Sequence, residues 1–125
     1  MSITRITKED TIVLMDNAKQ VLAITELQDE KEQDCIVVVL EGSLKSDTVH
    51  EFQDEMITLA IFGMNIKMDF AKVTYVSSAC VQALLKIQQK MDNVGKGSLT
   101  IIKLPSQIRA EFDSTGISEL LMIED

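Results

Sequence analysis

The chain of 125 residues contains little of what catalytic and metal sites are usually built from. It has no tryptophan, one proline, one histidine and two cysteines. The histidine, His50, has no second imidazole ligand and no nucleophile near it in the sequence, so it gives no evidence for a metal site. Cys35 and Cys80 form no paired motif, so no disulfide framework is indicated. We therefore predict no catalytic residue, no bound metal and no cofactor.

Positive charge and long apolar runs are also scarce. The 12 lysines and arginines are outnumbered by 20 acidic residues, which gives a formal net charge of −8 and an isoelectric point near 4.6. No basic patch remains to neutralise phosphates, so we expect neither nucleic acid nor an anionic membrane as a partner. The apolar runs are well below the roughly 20 residues that span a bilayer, and no basic region followed by an apolar core opens the chain. These features predict a cytoplasmic protein without membrane insertion.

The apolar pattern predicts an α/β domain. Hydrophobic residues make up 46% of the chain, enough for the core of one compact domain. We predict that residues 1–20 form an N-terminal extension, either a short helix or an added strand, and that residues 21–125 form the domain. Its strand-like runs are VLAITELQ, CIVVVLEG, NIKMDFAKVTYV and SLTIIKL. With the amphipathic segments between them, the order β-β-α-β-α-β-α predicts a small, mostly parallel sheet covered by helices.

Two serines separate the third predicted strand of this domain from its second predicted helix, in the segment VTYVSSACVQALL. Ser77 or Ser78 can cap that helix, because a serine oxygen accepts hydrogen bonds from the amides left free at a helix start. Cys80 falls in the first turn, where a helix lowers a thiol pKa, and is therefore a candidate nucleophile. Since no histidine accompanies it in the sequence, we favour a buried packing role for Cys80.

From about Leu22 onward, three segments resemble the signature regions of STAS domains, the family of bacterial anti-sigma factor antagonists and of the C-terminal domains of sulfate transporters. These segments are VVVLEGSL, MDFAKVTYVSSACVQALL and LPSQIRAEFDSTGISELL. The resemblance implies a single STAS-type α/β domain with its helices packed mainly on one face of the sheet. It also implies binding without catalysis. In the switching members, a kinase that doubles as an anti-sigma factor phosphorylates a serine or threonine at the start of the second helix, and the phosphate releases the partner.

This sequence departs from the family pattern at that switch. In an ungapped alignment, Ala79 takes the usual phosphoacceptor position, and Lys45 takes the position of an aspartate that faces the kinase. The candidate phosphorylation sites are therefore Ser78 and Ser77. The alternative is a constitutive binder that is never phosphorylated.

The sequence thus predicts a non-enzymatic STAS domain whose partner-binding residues are Lys45, Ser46, Ser77, Ser78, Ala79 and Cys80. The resemblance implies an anti-sigma factor antagonist-like component of bacterial partner switching and transcription regulation. Its partner would then be an anti-sigma factor and serine kinase of the histidine-kinase-type ATPase family. The alternative function is a STAS subunit of a lipid or ABC-type transport complex. The sequence is compatible with a homodimer as well as with a monomer.

Overall fold

The computed structural model describes residues 3–124 as one sheet of seven strands with three α-helices and a short 3₁₀ helix. In chain order the elements are β1 (Ile3–Lys8), β2 (Thr11–Asp16), β3 (Lys19–Gln28), β4 (Cys35–Leu44), α1 (Val49–Ile61), β5 (Asn65–Val76), α2 (Ser78–Val94), β6 (Leu99–Ile102), α3 (Ser106–Thr115), the 3₁₀ helix (Ile117–Glu119) and β7 (Met122–Glu124). Met1 and Ser2 of the predicted 1–20 segment, and Asp125 of the predicted 21–125 domain, lie outside the described residues. Within residues 3–124, no helix is both long enough and apolar enough to cross a bilayer.

The seven strands lie side by side in their sequence order, and the sheet is mixed. Strands β1 to β4 pair antiparallel, whereas β4 to β7 pair parallel. The predicted α/β class is confirmed, but the prediction of a mostly parallel sheet is wrong. The connections explain the difference, because short turns join the first four strands and reverse the chain, while helices cross over between the last four.

Residues 3–16 form a β-hairpin that widens the sheet, so the helix expected as one alternative for the N-terminal extension is wrong. The other alternative, an added strand, matches in type, although two strands are present. In β2 the alternate residues Ile12 and Leu14 are buried, which is the pattern of a strand with one face on a core. Because β2 pairs with β3, the hairpin continues the main sheet.

One hydrophobic core lies between the sheet and its helices. Its fully buried residues from β4, β5, α1 and α2 include Val38, Leu40, Met68, Phe70, Phe52, Met56, Leu84 and Ile87. On the opposite face of the same strands, Val37, Val39 and Lys67 are only partly buried. Side chains alternate between the faces of a strand, so this difference in burial places the helices on one face, as the family resemblance implies.

An arginine of the N-terminal hairpin contacts α1 beside an acidic side chain of β3. Arg5 of β1 donates a hydrogen bond from Nη2 to Oε1 of Glu55 on α1, over 2.8 Å. Glu26 of β3 lies beside the same carboxylate. Burial of Glu26, together with the nearby carboxylate of Glu55, raises the pKa of Glu26 to about 8, although Arg5 opposes the rise. Folded Glu26 therefore keeps a proton near neutral pH.

This proton makes stability depend on pH. The folded-state pKa of Glu26 is raised from 4.5 to about 8, so the stability that the group contributes is complete below about pH 4.5 and is lost as the pH rises through about 8. Glu26→Gln removes the titration, and the variant should exceed the wild-type protein in free energy of unfolding above pH 8 by about 1 to 2 kcal/mol, allowing for solvent screening of a half-buried group. Urea unfolding from about pH 5 to about pH 9 measures this difference. Glu30→Gln, in the exposed β3–β4 loop, should keep the wild-type pH profile, and the same profile for Glu26→Gln would contradict the assignment.

Candidate functional site

The loop between β4 and α1 is held in place by one buried side chain, Thr48. Its Oγ1 accepts a hydrogen bond from the backbone N of Lys45 over 3.2 Å and donates one to the carbonyl O of Lys45 over 3.1 Å. Thr48 has no exposed surface. These bonds fix the path of the loop, and they leave Lys45 and Ser46 exposed at the carboxyl end of β4.

The two serines at the start of α2 have different roles. Ser77 is the N-cap, and its Oγ accepts a hydrogen bond from the backbone N of Cys80 over 3.1 Å. Only 8% of Ser77 is exposed, so the capping role predicted for one of the serines is confirmed for this one. Ser78 is the first helical residue and is exposed, whereas Ala79 is half-buried. Ser78 thus presents its hydroxyl at the surface.

A backbone hydrogen bond brings these two loops together. The N–H of Ser77 donates to the carbonyl O of Leu44 over 2.8 Å, where the parallel strands β4 and β5 end side by side. Carboxyl ends of parallel strands are where open α/β sheets gather binding residues. Five of the six predicted partner-binding residues therefore lie at one edge of the sheet. We call this set the serine-loop surface, and it consists of Lys45, Ser46, Ser77, Ser78 and Ala79.

The sixth predicted residue, Cys80, points into the core. It has no exposed surface, and burial raises the pKa of its thiol to about 12. A thiol with this pKa stays protonated at physiological pH, so Cys80 is not an activated nucleophile. The packing role favoured for it is the one the structure supports. His50 lies on the exposed side of α1, where its Nε2 is 3.2 Å from Oδ2 of Asp54.

A groove of about 400 Å³ opens beside Ser78, between α2 and the segment formed by α3 and the 3₁₀ helix. Its apolar lining residues are Val76, Val81, Phe112 and Ile117, and its polar ones are Ser78, Gln82, Glu111 and Thr115. We call it the α2–α3 groove. Sequence reasoning missed it, because the groove depends on where α3 and the 3₁₀ helix lie relative to α2, and no local pattern reports that position.

A second group of polar side chains, in the β3–β4 loop and at the first residue of β4, surrounds the ammonium group of a lysine. The donor atoms of Asp29, Glu32 and Cys35 lie within 4.8 Å of one another, the spacing of a metal site. The ammonium group of Lys67 lies among them, 3.3 Å from Oδ2 of Asp29 and 4.0 Å from Oε1 of Glu32. The ammonium group neutralises the carboxylates of Asp29 and Glu32, as a metal ion would do in a metal site. The cluster is therefore a surface ion-pair network.

Comparison with models of protein families identifies the family of this chain. Residues 27–124 match a family model described as "Mlab, STAS domain". The chain belongs to the STAS domain family. The match begins within β3, so the N-terminal hairpin precedes the part of this STAS domain that the family model covers. A comparison with curated protein sequences gives no significant match.

Solved structures with the same fold include a candidate anti-sigma factor antagonist, a cell fate determinant and an anion transporter. The STAS domain superposes on a protein of Thermotoga maritima, described as a candidate anti-sigma factor antagonist, with a TM-score of 0.71 and 12% identity, over 82% of this chain and 86% of that one. It matches the phosphorylated form of the Bacillus cell fate determinant SpoIIAA with a TM-score of 0.58 and 16% identity, over 81% and 92% of the two chains. A murine anion transporter of solute carrier family 26 matches with a TM-score of 0.59 and 16% identity, over 72% of this chain and 16% of the transporter. At these identities the likeness establishes the fold.

Proposed function

We propose that this STAS domain is a non-enzymatic regulator that binds a protein partner at the serine-loop surface, as an anti-sigma factor antagonist-like component of a cytoplasmic partner-switching pathway. The proposed partner is an anti-sigma factor or serine kinase of the histidine-kinase-type ATPase family. The observation that carries the proposal is the 2.8 Å hydrogen bond from Ser77 to Leu44, which joins the two predicted binding loops into one surface.

The chemistry of this surface suits recognition. It offers an ammonium group on Lys45, hydroxyl groups on Ser46 and Ser78, and the apolar α2–α3 groove next to Ser78. The one thiol near it, that of Cys80, is buried and protonated. A partner can therefore anchor an apolar side chain in the groove and meet polar groups around it, which is the usual arrangement of a protein interface.

A charge placed on Ser78 tests the location of the binding surface. Ser78→Glu puts a carboxylate beside the groove and should reduce capture of the partner by about tenfold or more, through desolvation and altered electrostatics. Affinity capture from the native cytoplasm, followed by mass spectrometry, measures the recovery. Ser106→Glu is a matched control, because Ser106 is the exposed first residue of α3 as Ser78 is of α2. Equal loss in both variants would place the binding site elsewhere.

A second candidate function is a STAS subunit of a transport complex of lipid or ABC type. Two observations favour it, namely the family model's description and the likeness to a domain within a solute carrier anion transporter. The same capture experiment discriminates the two functions when it is repeated on detergent extracts of membranes. Recovery of a permease and its ATPase supports the transport function, whereas recovery of a sigma-factor regulator supports partner switching.

A further inference from the structure

A polar cavity of about 210 Å³ lies next to the serine-loop surface, between the β2–β3 turn and the end of β4. We call it the lysine pocket, and its lining residues are Asp16, Lys19, Gln20, Val21, Ser43 and Lys45. A water molecule takes about 30 Å³ of liquid volume, so the cavity is large enough for a charged side chain of a partner.

The backbone at both lysines of this pocket is held in place by strand pairing or by hydrogen bonds. Lys19 closes the β2–β3 hairpin as the Cα partner of Asp16, and Asn17 in the tight turn has a left-handed conformation with φ of 57°. The backbone N and O of Lys45 are both bonded to the buried Thr48 side chain. The pocket is therefore largely formed before any partner arrives, which lowers the ordering cost of binding.

The lysine pocket carries positive charge in a chain whose formal net charge is −8. Lys19 and Lys45 line it together with one carboxylate, that of Asp16. Within residues 3–124, no carboxylate oxygen lies within 4.0 Å of either ammonium group. By contrast, Lys67 and Lys103 lie in ion pairs with acidic neighbours. The pocket thus retains electrostatic attraction for an anionic group.

We propose that the lysine pocket receives an aspartate or glutamate side chain of the protein partner. The inference rests on the proposed function, because Lys45 belongs both to the pocket and to the serine-loop surface. A partner docked on that surface brings its own residues to the mouth of the pocket. There the ammonium groups of Lys19 and Lys45 can form ion pairs with a carboxylate of the partner. Such complementarity fixes the orientation of a complex and speeds association.

Removing the two charges should weaken the complex with the captured partner. Lys19→Gln and Lys45→Gln should each lower the affinity by about 2- to 30-fold, and less so as salt is added. Lys31→Gln is the matched control, because Lys31 is an exposed loop lysine before β4, whereas Lys45 follows β4. It should leave the affinity unchanged. Full affinity in the variant that carries both Lys19→Gln and Lys45→Gln would overturn the inference.

Zero-length crosslinking of the same complex with a carbodiimide identifies the contact directly, because it joins lysine amines to carboxylates that touch them. We expect crosslinks from Lys19 or Lys45 to an aspartate or glutamate of the partner. Weakened binding without a crosslink at either lysine would reflect long-range charge alone and would also overturn the inference. If Ser78→Glu abolishes capture while both lysines prove dispensable, the proposed function stands and the pocket inference fails. If no partner is captured at all, both fail.

Discussion

Replacing Gly42 with alanine should lower the free energy of unfolding by about 3 kcal/mol or more. Gly42 lies in β4 with φ of +118°, a conformation that residues with a Cβ rarely adopt, and a Cβ built there would lie 2.3 Å from the carbonyl O of Val21. Val21 belongs to β3, which is paired with β2 on one side and β4 on the other. Val21 has no Cα partner of its own, but the next residue, Leu22, pairs with both Leu14 and Gly42. A shift of the Val21 carbonyl would therefore disturb strand pairing beside the lysine pocket.

Gly116→Ala is the control that separates backbone strain from collision. Gly116 ends α3 with φ of +79°, and a Cβ built there would meet no atom within 4 Å. The loss at this position should be only about 1 kcal/mol, the cost of the left-handed conformation for a residue with a Cβ. Urea unfolding at constant pH measures both variants. Equal losses would show that the close approach of β3 to Gly42 has no energetic consequence.

The start of α2 was predictable from the sequence because its signals are local. A polar residue precedes an apolar helical repeat there, and this pattern predicts a capped helix, which the Ser77 hydrogen bond to Cys80 confirms. Cys80 is buried as well, which agrees with the packing role favoured for it because no histidine accompanies it in the sequence. The neighbouring loop with Lys45 was placed by the family resemblance, and the parallel pairing of β4 with β5 brings it to Ser77.

The direction of the first strands and the two cavities were not predictable in this way. The runs TIVLM and VLAITELQ have the composition of strands, but composition does not reveal which neighbour a strand pairs with or in which direction. The lysine pocket exists only because the turn at Asn17 returns the chain beside the end of β4. Lys19 and Lys45 are far apart in the sequence, and no pattern connects them before the sheet has formed.

The two candidate phosphorylation sites, Ser77 and Ser78, differ in their exposure to solvent. Ser77 uses its oxygen as a cap and is nearly buried, so it is a poor acceptor. Ser78 is exposed, but the family resemblance predicts that the usual acceptor position is the next residue, Ala79. A shift of one residue rotates a side chain by about 100° around a helix axis, away from the line that a kinase requires. We therefore expect constitutive binding, with neither serine phosphorylated in protein isolated from its own cells.

Ala79→Ser should restore a switch if the missing hydroxyl is what disables it. The new serine would lie in the first turn of α2, where the free amides and the positive end of the helix dipole stabilise a phosphate. Once phosphorylated in its native cells, the variant should bind its partner on the order of 10- to 100-fold more weakly than the unmodified form, because the dianion adds charge and bulk to the serine-loop surface. Mass spectrometry reports the modification, and affinity capture reports the release.

Ala110→Ser, which places a serine on the exposed side of α3, controls for the added hydroxyl and should stay unmodified. Substantial phosphate on Ser77 or Ser78 of the wild-type protein would contradict constitutive binding. An unmodified Ala79→Ser protein would mean that the loss of the family's acidic residues at positions 45 and 77, which are Lys45 and Ser77 here, matters as well.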